Sequence, residues 1–557
     1  MSQPPERNDA RLSASPATPQ VSRPKDVVLE PPVRTLPNET EIEKTLERLL
    51  SPMELEIEQE QEREESRPPK EKPEMSALGE IENDIVVIGS GPGGYVAAIR
   101  AAQLGAKTVC IEKEASEWGG TCLNWGCIPT KTMIASVERL NHVKTADKMG
   151  VIINGEISFD FDKMMERKTK VVTTLRGGVS ALLKSNHVRS VVGTAKLIDA
   201  NTIEVALADG TTETIRTKNI VLATGSVPVF PPVPGLARVP TDKRGESSNG
   251  VWTSDEAVYA KSCPQKMVII GAGIVGMEFS FTFRNLGAEV NVIEFAPEII
   301  PTIDREIAAE LRKSLTRQGV KIHVDSKVTK VEHNGTTNVV TFENAKGVQT
   351  LEADVVLVAT GRRANHDGLN LEAAGVKVGK RGVEVDEYNQ TNIPGIYAIG
   401  DITGKLMLAH VASHMGIVAV ENAMGHSVKM DFRAVPGPIY TNPEVATVGL
   451  SEEEAREKGY DVMTGRFPFR PLGRAMALNE QEGMVKIISE RKYGELLGVA
   501  IVGPFATELI HEAVMAIKLE ATVDEMISMI HAHPTLSEAM GEAALDVKGD
   551  AIHKLKK

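Results

Sequence analysis

Two cysteines, Cys122 and Cys127, stand five positions apart in the run Gly119-Gly120-Thr121-Cys122-Leu123-Asn124-Trp125-Gly126-Cys127-Ile128-Pro129-Thr130-Lys131. Sulfurs at that separation can close a small ring, so the pair fits thiol–disulfide exchange, which needs an attacking thiolate and a low-pKa leaving thiol. A helix opening near Cys127 would place its positive end beside that sulfur and favour the thiolate. Metal binding is the rival chemistry. No second cysteine pair and no matching histidine pair follows to complete a tetrahedral zinc site, and the chain has only four cysteines. Of the other two, Cys110 reads as a small buried hydrophobe and Cys263, beside Pro264, has no evident partner.

A second chemical group lies near the C-terminus, in His531-Ala532-His533-Pro534-Thr535-Leu536-Ser537-Glu538. Histidine titrates near neutral pH, and a carboxylate five residues on can fix its tautomer and raise its basicity. His533 with Glu538 is therefore a candidate general base. A histidine taken alone is more often a packing or surface residue.

These groups need elements to hold them, and the chain supplies one design twice. An apolar strand at 84–88 runs into Gly89-Ser90-Gly91-Pro92-Gly93-Gly94, then a helical stretch 95–104, then a strand 108–111 that ends at Glu112. The pattern returns as a strand 267–270, Gly271-Ala272-Gly273-Ile274-Val275-Gly276, a helix through Leu286, and a strand 290–293 ending at Glu294. A tight glycine turn brings helix-start amides up to a pyrophosphate, and the acid about 20 residues on accepts from a ribose. One such turn is weak evidence, whereas two, each between strand and helix and each with its acid, predict two dinucleotide sites. A carboxylate at Glu294 accepts from a 2′-hydroxyl and repels a 2′-phosphate, which favours NAD over NADP.

The cysteine run resembles the redox-active segment of the pyridine nucleotide–disulfide oxidoreductases, and the resemblance extends over about residues 81–557. Also similar to the family are Ala223-Thr224-Gly225-Ser226, Ala359-Thr360-Gly361-Arg362, Gly395-Ile396-Tyr397-Ala398-Ile399-Gly400-Asp401, Tyr440-Thr441-Asn442-Pro443-Glu444-Val445-Ala446 and Gly503-Pro504-Phe505-Ala506-Thr507-Glu508. The stretch Val411-Ala412-Ser413-His414-Met415-Gly416 departs from the acidic pattern usual there.

The resemblance implies an α/β fold with two Rossmann-like dinucleotide-binding domains, a C-terminal α+β dimerisation domain and a disordered N-terminal extension. The expected boundaries are 1–80 for the extension, 81–230 for the FAD domain, 231–362 for the NAD domain, 363–431 for a central domain completing the FAD site, and 432–557 for the interface domain. FAD would be held by Gly89, Gly91, Gly94, Glu112, Lys131, Ala195, Thr224, Gly225, Ser226, Asp401, Met407, Leu408, Ala409 and His410. NAD would be held by Gly271, Gly273, Gly276, Glu294, Val328 and Gly361. By the same resemblance Cys122 exchanges with substrate, Cys127 lies against the flavin, Lys131 pairs with Glu278, and the His533–Glu538 pair reaches the cysteines of the other subunit in an obligate homodimer with shared active sites.

The activity implied is oxidation of a protein-bound dihydrolipoamide with reduction of NAD, within a 2-oxo acid dehydrogenase or related complex. Another flavin-dependent disulfide reductase is the alternative. The segment 546–557 lacks the cysteine pair that mercuric reduction would need, and Glu294 argues against a glutathione reductase. A third reading is a scaffold tethered to a complex by its N-terminus, although a scaffold has no physical need for Cys122, Cys127 and His533.

Composition bounds the rest. The chain has 557 residues, 41% hydrophobic and 25% charged, with a formal net charge of −13. That is an ordinary globular composition for several domains, and it disfavours nucleic acid as a partner. The apolar runs are broken by glycines well short of a membrane span, and no secretory signal opens the sequence, so a cytoplasmic protein is expected. Residues 1–78 contain no aromatic residue, no glycine and no cysteine yet hold 12 of the 30 prolines. Such a segment cannot bury enough apolar surface to offset ordering its backbone. Within it Asn38 and Glu41 resemble a capping pair ahead of Ile42, Leu46, Leu49 and Leu50 on one helical face, which reads as a transient helix or as a docking motif for a partner.

Overall fold

The computed structural model describes residues 81–241, 245–335 and 337–555. The expected N-terminal extension and its short helix lie outside the described residues. From Glu80 onward the chain is one compact unit.

Its first sheet is built around the strand Asn83–Ile88, which runs parallel to Thr108–Glu112 on one side and to Thr212–Leu222 on the other, so that Val86 faces both Val109 and Ile220. Burial on both faces explains the unbroken apolar run Ile85-Val86-Val87-Ile88. Arg189–Leu197 extends the sheet beyond Thr108–Glu112, and Ile396–Ala398 adds in parallel to Thr212–Leu222 from far down the chain. The antiparallel strands Arg189–Leu197, Thr202–Leu207 and Thr212–Leu222 make a meander on this sheet.

The second sheet repeats the plan. Lys266–Ile270 lies parallel between Glu289–Ile293 and Val355–Val358, with Val268 facing Asn291 and Val356. Lys321–His323 continues one edge, Val251–Trp252 the other, and a three-stranded meander spans Lys327–His333, Asn338–Asn344 and Gly347–Ala353. A two-stranded ribbon, Ser226–Pro228 against Arg362–Ala364, joins the two halves.

The C-terminal part is a five-stranded antiparallel sheet in the order Gly437–Ile439, Glu444–Gly449, Leu496–Gly503, Met484–Glu490, Val462–Pro468. Its core joins Phe467, Val485 and Ile501 of the sheet to Ile510 and Ala513 of the helix Ala506–Lys518 and to Ala539, Met540 and Ala543 of Glu538–Val547. Among the described residues no helix is long and apolar enough to cross a membrane.

Candidate active site

The glycine turns show why glycine is required. Gly89 and Gly271 have φ of +102° and +101°, and a Cβ on either would sit 2.4 Å from the Ala223 carbonyl oxygen or 2.5 Å from that of Ala359. A Cβ on Gly94 would lie 1.8 Å from the Gly89 oxygen, and one on Gly276 2.1 Å from the Gly271 oxygen. The middle glycines, Gly91 and Gly273, face open space. They cap the helices Pro92–Gln103 and Ile274–Asn285, and neither helix has a side-chain cap. Two helix N-termini thus present amides and positive dipole ends to an open turn, as a pyrophosphate requires.

The two acids occupy equivalent positions. Glu112 accepts from the Ser90 N–H at 3.0 Å, the Ser90 hydroxyl, and the Lys113 N–H at 2.7 Å. Glu294 accepts from the Ala272 N–H at 2.6 Å and the Ala296 N–H at 2.7 Å. These bonds aim each carboxylate across its turn and leave lone pairs for ribose hydroxyls, since a carboxylate has about four acceptor sites. Ala195 and Val328 lie on the respective meanders, buried in the cores beneath them. The residues present therefore fit two dinucleotides.

The far wall of the first site is assembled across long sequence distances. The Ser226 hydroxyl donates to Asp401 at 2.5 Å and accepts from Arg362 Nε at 2.7 Å. Burial pushes the Asp401 carboxyl up, partly offset by Ser226 and Arg362. The Thr224 hydroxyl donates to Asn365 O at 2.6 Å, and Gly225, at φ +72°, carries the chain into the ribbon. Met407 and Leu408 lead into the helix Ala409–Ala423, which crosses Pro92–Gln103 so closely that a Cβ on Gly416 would meet the Gly93 oxygen at 2.6 Å. His410 Nε2 lies 2.9 Å from Pro436 O, and burial lowers its pKa. At the second site Gly361, φ +114°, follows Thr360, whose hydroxyl donates to Val229 O at 2.8 Å.

The cysteine loop rests on the first turn. Gly120, with φ +62°, packs so near that a Cβ there would be 2.6 Å from Gly91 Cα. The Asn124 amide braces the loop by donating to Glu117 O, Trp118 O and Gly120 O at 3.0–3.2 Å. Cys122 ends up in the short helix Gly120–Asn124, and Cys127 opens the helix Cys127–Lys144. The two thiols are hydrogen-bonded to each other. That bond lowers the Cys127 pKa to about 7, burial opposes it, and Lys131 assists, while the same bond and burial push Cys122 up. Cys127 is thus the favoured thiolate. Cys110 is fully buried, and the Cys263 thiol donates to the carbonyls of Pro264 and Leu286. Among the described residues no group of His, Cys, Asp or Glu is placed to hold a metal ion.

Lys131, one turn into the cysteine helix, bonds both oxygens of buried Glu278 at 2.8 Å. Sequence reasoning missed the third member. Tyr440 donates its backbone N–H to Glu278 at 3.0 Å, and its ring lies 4.6 Å beneath the Lys131 ammonium. Nothing local signals a contact spanning 162 residues.

At the C-terminus the two histidines differ. His531 is half-buried against Glu512, at 3.0 Å, and that bond raises its pKa. The His533 side chain is 77% exposed, with Nδ1 2.8 Å from Glu538. Burial would raise the Glu538 carboxyl, but bonds from His533 and the Thr535 N–H bring it below the usual range. The pairing leaves His533 Nε2 without a partner among the described residues. Among the described residues of one chain the His533–Glu538 pair has no hydrogen bond to the cysteines.

Comparison with known proteins agrees with this geometry. Residues 83–416 match the family "Pyridine nucleotide-disulphide oxidoreductase", and residues 435–544 match its dimerisation domain, so the assembly is a homodimer. The chain is 42% identical to a mitochondrial dihydrolipoyl dehydrogenase of Pisum sativum, covering 86% of this chain and 94% of the relative. It is 44% identical to a dihydrolipoyl dehydrogenase of Thermus scotoductus, covering 85% and 99%. Among solved structures, LpdA from Mycobacterium tuberculosis superposes with a TM-score of 0.74 at 29% identity, covering 83% of this chain and 99% of that one. The duplicated nucleotide turns, the dithiol seated on the first of them and these matches have one explanation: the chain belongs to the pyridine nucleotide-disulphide oxidoreductase family.

Proposed function

We propose that the protein oxidises a dihydrolipoyl dithiol on a carrier protein to the cyclic disulfide and delivers the electron pair to NAD. The observation that carries this reading is the seating of Gly120 on Gly91, which puts the cysteine loop on the first dinucleotide turn. The site residues take the following roles in the proposal. FAD binds the first turn, with Glu112, Ser226 and Asp401 on its polar parts, and supplies the step from a two-electron thiol donor to hydride transfer. NAD binds the second turn, with Glu294 on its ribose.

One dihydrolipoyl thiolate attacks Sγ of Cys122 in the Cys122–Cys127 disulfide, forming a mixed disulfide and releasing Cys127 as thiolate. The second dihydrolipoyl sulfur, losing its proton to His533 of the other subunit, attacks its neighbour, closing the lipoyl disulfide and releasing Cys122. The thiols lose two electrons and two protons in all, and the cysteine pair holds the electrons. Helix start, Lys131 and the Cys122 hydrogen bond all favour Cys127 as the leaving and electron-donating sulfur.

A cytoplasmic setting belongs to the same proposal and rests on cysteine usage. So does a docking role for residues 1–80, which deletion and a pull-down of lipoyl carrier would test. For the activity itself, Cys122→Ser should retain FAD and lose dihydrolipoamide-dependent reduction of NAD. Turnover surviving that substitution excludes the role given to Cys122.

A further inference from the structure

Beside the helix Phe161–Ser185 runs an open groove of about 790 Å³, lined in part by Lys168, Thr169, Thr173 and Tyr259. Lys168 is 3% exposed. Its ammonium lies 4.6 Å from the centre of the Tyr259 ring, and among the described residues it has no ion pair and no hydrogen bond. Burial, opposed by no neighbouring anion, lowers its pKa to about 8. A desolvated cation–π contact is worth about 2 kcal/mol, whereas removing an ammonium from water costs several kcal/mol, so the aromatic ring alone does not balance the charge. Neither the Thr169 nor the Thr173 hydroxyl has a partner among the described residues. Asp162 and Glu166 also line the groove, yet neither pairs with Lys168.

We propose that this groove binds a small oxyanion, a carboxylate or a phosphate, with the Lys168 ammonium as its counter-charge and the Thr169 and Thr173 hydroxyls as donors. The two acids oppose any anion, and more strongly the higher its charge, which favours a small anion of low charge over a polyanion. The site adjoins the redox loop: the Tyr259 hydroxyl is 3.5 Å from Asn124 O, between the two cysteines. An anion held by Lys168 thus lies beside Tyr259, whose hydroxyl donates to the segment between Cys122 and Cys127.

The test is competitive acylation of the FAD-loaded homodimer with acetic anhydride at pH 8, followed by peptide mass spectrometry. Bound anion keeps Lys168 as the unreactive ammonium, so phosphate or acetate should slow its labelling at least fivefold against sodium chloride of equal ionic strength, with Lys170 unchanged. Comparing the phosphate and acetate arms shows which oxyanion is preferred. In calorimetry with the effective anion, Lys168→Gln should abolish the binding heat. Equal labelling of Lys168 in all three salts, parallel slowing of Lys168 and Lys170, a Lys168 that never labels, or an unchanged heat in Lys168→Gln would each overturn the proposal.

Discussion

His533 and His531 are two residues apart, yet the fold separates their chemistry. Glu512 takes His531 into a part-buried pair, while Glu538 holds His533 by Nδ1 and leaves the other ring nitrogen unpartnered among the described residues. Of the two, His533 is the exposed one, as the proposed base role requires. Replacing His533 with Gln should cut dihydrolipoamide oxidation by about 10²–10⁴-fold, the usual contribution of a general base, while reduction of the flavin by NADH continues. Stopped-flow measurement of the two half-reactions checks this, and equal loss in both would contradict it. The cysteine spacing and the His533–Glu538 pair were legible in the sequence because local strings carry them, whereas the Lys131–Glu278 pairing, across 147 residues, came only from the family resemblance. Tyr440, Tyr259 and Lys168 were not legible, because their significance lies in contacts between segments far apart in the chain.

At the scale of elements, the two glycine turns are near copies. Gly89 with Gly271, Gly94 with Gly276 and Glu112 with Glu294 have matching geometry. The strands and helices around them were readable within a few residues, since buried parallel strands need continuous apolar runs and only glycine tolerates the left-handed turn. The meanders were less readable, because their strands alternate and pair through tertiary context. The duplication makes a paired prediction. Gly94→Ala, with its Cβ forced on to the Gly89 oxygen, should give protein that fails to retain FAD. Gly276→Ala should stay yellow and be reduced by dihydrolipoamide normally, but raise the KM for NAD by more than about tenfold, a change of 1.4 kcal/mol or more. Absorbance and steady-state kinetics separate the two, and loss of FAD from Gly276→Ala would contradict the assignment of the sites.

For the whole molecule, a buried charge cluster ties the second nucleotide half to the C-terminal sheet. Lys486, 2% exposed, meets Asp304 at 2.7 Å, Glu452 at 2.9 Å and Glu306 at 3.1 Å, and Arg466 joins Glu306 at 2.7 Å. Nothing in the local sequence around Lys486 marks it as buried. Lys486→Met leaves those carboxylates without their central cation and should cost about 3–5 kcal/mol, read as a fall in Tm. An unchanged Tm would show that the cluster is not a structural tie. Burial would raise the Glu452 pKa, but bonds from Lys486 and Arg456 bring it down to about 2. Its folded pKa lies below the unfolded value, so its stabilisation is present above about pH 4.5 and disappears as the pH falls towards 2.

All scales meet in the claim that Cys127 is the sulfur that faces the flavin as a thiolate. Anaerobic addition of one equivalent of dihydrolipoamide to the FAD-loaded homodimer, followed by absorbance across pH, measures it. We predict a broad long-wavelength thiolate–flavin band that grows as the pH rises through about 7, where the Cys127 pKa is set, and that is absent from Cys127→Ser. Two-electron reduction that bleaches the flavin with no such band at any pH, or a band that persists in Cys127→Ser, would contradict the account.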